Sequence, residues 1–148
     1  MCHDCGCRSY PIIDALSDEH EQINSLAGRL RRAVIAGADP APVLAKLVPL
    51  INRHTAAEER GLFAGLRGDP QLSVAIDELC AEHLHLHQVL ADAAAGTAAK
   101  SVVLVAIDTL RRHIDKEEYG IFPAAAILLD ADGWERLAHL SADDALGG

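Results

Sequence analysis

The stretch His54-Thr55-Ala56-Ala57-Glu58-Glu59-Arg60-Gly61-Leu62-Phe63 recurs 59 residues later as His113-Ile114-Asp115-Lys116-Glu117-Glu118-Tyr119-Gly120-Ile121-Phe122. Both copies read HxxxEExGxF. Residues four apart share one face of an α-helix, so His54 points with Glu58 and His113 with Glu117. The apolar positions fall on the same face. Ile51 and Leu62 flank the first pair, and Leu110, Ile114 and Ile121 surround the second. A helix that sets imidazole and carboxylate among its core residues is built around a polar centre.

Working outward gives four helices and an all-α fold. The first is expected from about Ser17 to Ala36, with Ser17 as N-cap and Asp18 and Glu19 at the positive end of the helix dipole. Ile23, Leu26, Leu30 and Val34 repeat at helical spacing, and Gly37 ends it. Pro11 to Leu16 reads as a lead-in turn. The second is expected from Pro40 to Leu66, capped by Asp39, with Pro49 kinking it one turn before His54. The third spans about Pro70 to Ala95 and carries His83-x-x-x-His87 between Leu79 and Leu90. The fourth spans about Ala98 to Asp130, with a bend at Pro123. A short last segment, Trp134 to Leu140, precedes a frayed tail. Short loops between long helices imply an up-down-up-down antiparallel four-helix bundle. The chain thus divides into a Cys-rich tail (1–10), the bundle (11–130) and a short C-terminal helix with its tail (131–148).

Composition agrees and excludes alternatives. Half of the 148 residues are hydrophobic but only 3% are aromatic, so the core is Ala, Leu, Ile and Val, a helix-leaning mixture. The formal charge is −9, and no basic stripe exceeds Arg29, Arg31 and Arg32. Nucleic acid and anionic membrane surfaces are therefore not the expected partners. No apolar run is long enough to span a bilayer, and the start lacks a signal-peptide pattern. Three of the four cysteines crowd into Cys2, Cys5 and Cys7, unlike a secreted disulfide framework. A cytoplasmic protein with reduced thiols is expected.

Seven groups face inward by this reading: His20, His54, Glu58, His83, His87, His113 and Glu117. A single HxxxE pair has an ordinary explanation, a surface contact of about 0.3–0.5 kcal/mol. Four helices presenting such groups to one core do not. Burying unpaired charge costs on the order of several kcal/mol per group, against a net stability of about 5–15 kcal/mol for a whole domain. A metal centre satisfies all of them together. Structural zinc takes four ligands, too few for this set. Imidazole mixed with carboxylate suits iron at about six ligands. Two irons sharing two bridging carboxylates and a solvent-derived oxygen accommodate five histidines, with one position left open for a small molecule.

The same residues resemble the hemerythrin, or HHE cation-binding, domain over His20 to Pro123, and the Cys2-His3-Asp4-Cys5-Gly6-Cys7 start is similar to that of short bacterial hemerythrin-like proteins. The resemblance implies two oxo- or hydroxo-bridged irons, one held by His83, His87 and His113, the other by His20 and His54, with Glu58 and Glu117 as bridges. The oxygen-carrying members place an Asp five residues after the last ligand histidine. Here Glu117 stands at four, which points away from simple oxygen carriage. Glu59 and Glu118, about 100° round the helix from the bridging pair, are expected beside the site or at the surface, with Glu118 the alternative to Glu117.

The remaining candidates read as ordinary. His85 points away from its neighbours, His139 lies on the surface, Cys80 is buried packing, and Tyr119, Phe63 and Phe122 pack without a special role. Cys2, His3, Cys5 and Cys7 read as a tail, with soft-metal binding or a redox relay as the alternative. The leading functional expectation is a di-iron oxidoreductase acting on nitric oxide, peroxide or oxygen in stress protection, fed by an external electron donor. A reversible oxygen binder, an oxygen or iron sensor, and iron storage or delivery stay open, as does the oligomeric state.

Overall fold

The computed structural model describes residues 10–147, and side chains over 10–139. Among the described residues the fold is all-helical, with no strand. Helix α1 covers Pro11–Ala36. Helix α2 covers Ala41–Glu58, then widens into a π turn at Glu59–Phe63 and closes over Ala64–Leu66. Helix α3 is Ser73–Ala94. Helix α4 covers Lys100–Lys116, widens at Glu117–Ile121 and ends over Phe122–Leu128. Helix α5 is Ala131–Gly147.

The boundaries follow local chemistry, with one correction at the start. Ser17 is not an N-cap. Tyr10 is extended and Pro11 opens the helix, because proline's missing N–H is no loss at a first helical position. Ser17 therefore lies inside α1, fully buried. Gly37 ends α1 at φ 70°, where Ala38 N–H reaches Ala33 O and Gly37 N–H reaches Val34 O. The left-handed conformation costs glycine nothing. Gly96 closes α3 in the same way, at φ 77°. Asp39 Oδ1 accepts from Ala41 N–H, as a capping side chain should. The segment expected as a short helix and frayed tail is a single helix to Gly147.

Each of α1, α2, α3 and α4 carries a polar layer between two apolar ones. One cluster is built on Ile23, Leu30, Leu47, Ile51, Leu86 and Ile107. The other is built on Ile13, Leu62, Phe63, Ile76, Ile121 and Phe122, and Leu137 of α5 closes it. Helix α1 packs on α2 and α4, and α3 packs on the same two, so the four form a ring of neighbours. The polar layers meet at its centre.

Candidate metal centre

Six of the seven inward residues converge. His20, His54, Glu58 and Glu117 place ligand atoms within 4.8 Å of one another, and so do Glu58, His83, His113 and Glu117; all are buried. Glu58 and Glu117 belong to both groups. Glu58 Oε1 lies 3.2 Å from His54 Nε2 and 3.4 Å from His83 Nε2, while its Oε2 faces His20 Nε2 at 3.9 Å. Glu117 Oε1 lies 2.6 Å from His113 Nε2 and 3.8 Å from His20 Nε2.

These approaches are close, but they are not hydrogen bonds. His20 Nε2, His54 Nε2 and both oxygens of Glu58 and of Glu117 are buried without a hydrogen-bond partner. Buried polar atoms are otherwise nearly always satisfied. Crowded lone pairs that miss one another yet converge form a cation cradle, and nitrogen with carboxylate oxygen is a donor set that suits iron. The residues fit the metal the sequence calls for.

Each of the four converging imidazoles is held from behind by a carboxylate. The Nδ1 atoms pair with Glu118 for His20 (2.8 Å), Glu19 for His54 (3.3 Å), Glu59 for His83 (3.0 Å) and Glu82 for His113 (2.7 Å). Such a partner fixes the ring and turns Nε2 toward the centre as a donor. Lys116 in turn pairs with Glu82. Phe63 stacks on His83 and Phe122 on His20, with ring planes within 9° and 6°. The repeat thus has a division of labour. The His and first Glu of each copy enter the centre, while the second Glu and the Phe grip the histidine of a neighbouring helix. The widened turns begin at Glu59 and Glu117, a placement common for π turns at functional sites. Pro123 cannot cause both, since α2 has no proline at the matching place; what they share is EExGxF.

The buried imidazoles differ in how firmly they hold a proton. Burial disfavours a charged His54, but the charge of Glu58 and the hydrogen bond to Glu19 outweigh it and raise the pKa from 6.5 to about 9. His83 is raised in the same way, by Glu58 and Glu59 against its burial. Burial pushes His113 down to about 4, with the His83 charge adding to the shift. The two rings meet Nε2 to Nε2 at 3.0 Å, so a single proton between them serves both. Burial raises the Glu58 carboxyl, but His54 and His83 overcome this and hold it well below the ordinary carboxylate range.

His87 stands outside the converged set. It is half-buried, and its Nε2 meets Thr55 Oγ1 at 2.9 Å. His85 and His139 are exposed, as expected. Tyr119 is exposed rather than packed, whereas Phe63 and Phe122 do more than fill space, since they lie on ligand rings. Cys80 is only half-buried and accepts a hydrogen bond from Arg67. Cys2, His3, Cys5 and Cys7 lie outside the described residues. Sequence reasoning gave Glu19 only a role at a helix N-terminus and missed Glu82. The available signal was adjacency: Glu19 and Glu82 directly precede His20 and His83, as Glu59 and Glu118 directly follow Glu58 and Glu117.

A cavity of about 10 Å³ remains at the centre, walled by Ile23, Ile51, Leu86, Leu110 and Ile114. That is about one water-sized sphere. A larger groove of about 230 Å³ near Leu30, Val34 and Lys100 carries none of the ligating groups.

Two His/Glu groups sharing two carboxylates, sealed between the apolar layers of a helical bundle, define a helical protein with the groups to hold metal. The hemerythrin HHE cation binding domain matches residues 11–125, and the chain belongs to that family. Its members bind non-haem iron, and this chain has the groups to do so. No curated protein and no solved structure matches it. Among the described residues, no helix is long and apolar enough to cross a membrane.

Proposed function

We propose that this chain is a di-iron protein that reacts with nitric oxide, peroxide or oxygen and protects a cytoplasm against nitrosative and oxidative stress. The observation that carries the reading is the sharing of Glu58 and Glu117 by two buried ligand groups. One ion is held by His20, His54 and the two glutamates, the other by His83, His113 and the same glutamates. His87 is the seventh ligand, recruited by giving up Thr55. The ring of neighbouring helices and the short connections support an up-down-up-down bundle around the pair.

Bound iron supplies one-electron chemistry and an open coordination position. The chain's own residues do the rest. Glu19, Glu59, Glu82 and Glu118 orient the four imidazoles. Ile23, Ile51, Leu86, Leu110 and Ile114 keep bulk water out, and so small a space admits only molecules of a few atoms. Turnover on this reading draws electrons from a donor outside the bundle.

The test is iron content, optical spectrum and turnover of the purified protein. Two irons per chain are expected, with a near-ultraviolet oxo-bridge absorption that disappears in His54→Ala. Nitric oxide or peroxide should be consumed faster than by free iron. Stable, reversible oxygenation without turnover would instead make the protein a carrier or sensor.

A further inference from the structure

The chain is a quasi-repeat around its metal centre. Glu19-His20 of α1 matches Glu82-His83 of α3, and HxxxEExGxF occurs in both α2 and α4. The copy in α2 serves His83, and the copy in α4 serves His20. Glu59 accepts from His83 Nδ1 at 3.0 Å, as Glu118 does from His20 Nδ1 at 2.8 Å. Even the residue three before each histidine corresponds, Ser17 before His20 and Cys80 before His83.

The two halves differ in how they treat those carboxylates. Glu59 is 42% exposed, whereas Glu118 is 1% exposed. Glu19 and Glu82 also reach solvent. Glu118 alone of the four is sealed, and Ser17 Oγ, itself fully buried, donates to its Oε2 at 3.1 Å. At Ser17's counterpart stands a half-buried thiol beside Glu59 and Arg67. A charge in contact with water is screened. The same charge in the interior acts several-fold more strongly, and it strengthens the imidazole whose N–H it accepts.

Resting on the di-iron reading above, we infer that Glu118 is a positioning residue that acts on one metal position alone: it tightens the ion held by His20 and His54, whereas its counterpart Glu59 does little for the ion held by His83, His113 and the recruited His87. Nothing in HxxxEExGxF distinguishes its two copies. The selectivity comes from the environments of their second glutamates.

The test is anaerobic titration of the metal-free full chain with ferrous iron, resolving two dissociation constants, for the parent and for Glu118→Gln, Glu59→Gln and Ser17→Ala. The glutamine can still accept from His20 Nδ1 but carries no charge. Glu118→Gln should weaken one ion, the same one that His20→Ala loses, by roughly 10–100-fold and leave the other within about threefold. Glu59→Gln should move either constant less than about threefold, because its charge is already screened. Ser17→Ala, which keeps the carboxylate but loosens it, should weaken the same ion as Glu118→Gln, by less. A merely structural Glu118 would instead weaken both ions together. Equal weakening of both ions, no weakening of either, or a Glu59→Gln effect as large as that of Glu118→Gln would overturn the inference. Should Glu118→Gln not fold, a Ser17→Ala protein with both constants unchanged overturns it equally. A parent chain that binds fewer than two ions would overturn the di-iron reading itself, and this inference with it.

Discussion

Raising the pH of the metal-free protein from 6.5 to 9 should destabilise it by about 3 kcal/mol. His54 titrates at about 9 in the folded chain against 6.5 unfolded. Between those values the folded state holds a proton that the unfolded state has released, so stability falls as pH rises. At about 1.4 kcal/mol per pH unit, the full window is worth about 3 kcal/mol. His83, raised in the same direction, adds to the loss. On the acid side the sign reverses. His113 is depressed to about 4, so between 4 and 6.5 the unfolded chain binds the extra proton and stability falls as pH drops. The lowered carboxyls of Glu19, Glu58 and Glu82 add their own loss below the ordinary Glu range. The metal-free protein should therefore be most stable near pH 6.5. Urea unfolding at pH 5, 6.5, 8 and 9 measures this directly, and for a domain of this size the alkaline arm corresponds to roughly 6–12 °C in melting temperature. His54→Gln should flatten that arm. Bound iron should reverse it, because metal displaces these protons and binds more tightly as they leave. A metal-free protein whose stability is unchanged or rises from pH 6.5 to 9 would refute the proton-for-metal argument.

Three further outcomes follow from the same geometry. Glu58→Ala should abolish retention of both ions, since Glu58 belongs to both groups, while His20→Ala should chiefly lose one; the metal-to-protein ratio after desalting decides between them. Thr55→Val frees His87 from its hydrogen-bond partner and should tighten one ion by roughly 2–10-fold, the worth of one net hydrogen bond of about 0.5–1.5 kcal/mol; weaker binding in this variant would show that His87 is not a ligand in waiting. Phe63→Ala removes a fully buried ring stacked on His83 and should cost about 3–5 kcal/mol in denaturant unfolding; a loss under about 1 kcal/mol would mean that the layer collapses around the gap.

The helices and the faces they bury were legible because both are periodic. Once Ile51, Leu62, Leu110 and Ile121 mark the inner face, the three-to-four-residue repeat carries His54, Glu58, His113 and Glu117 to the same side. The first turn of α1 was misread for a local reason. Ser17 followed by acidic residues has the composition of an N-cap, but Pro11 can open a helix just as well, and burial of the Ser17 hydroxyl against Glu118 favours the longer one. The widened turns at Glu59–Phe63 and Glu117–Ile121 leave no mark on the apolar pattern.

The sequence by itself determined an all-helical chain, a polar layer within each of four helices and a donor set suited to iron, since each is a matter of spacing along one helix. Tertiary structure alone decided that Glu118 grips His20 across 98 residues and Glu82 grips His113 across 31. It also decided that His87 meets Thr55 and that one carboxylate is sealed from water while its twin is not. Those outcomes depend on which helices are neighbours and how deeply each side chain is buried between them, and no spacing within a single helix encodes either.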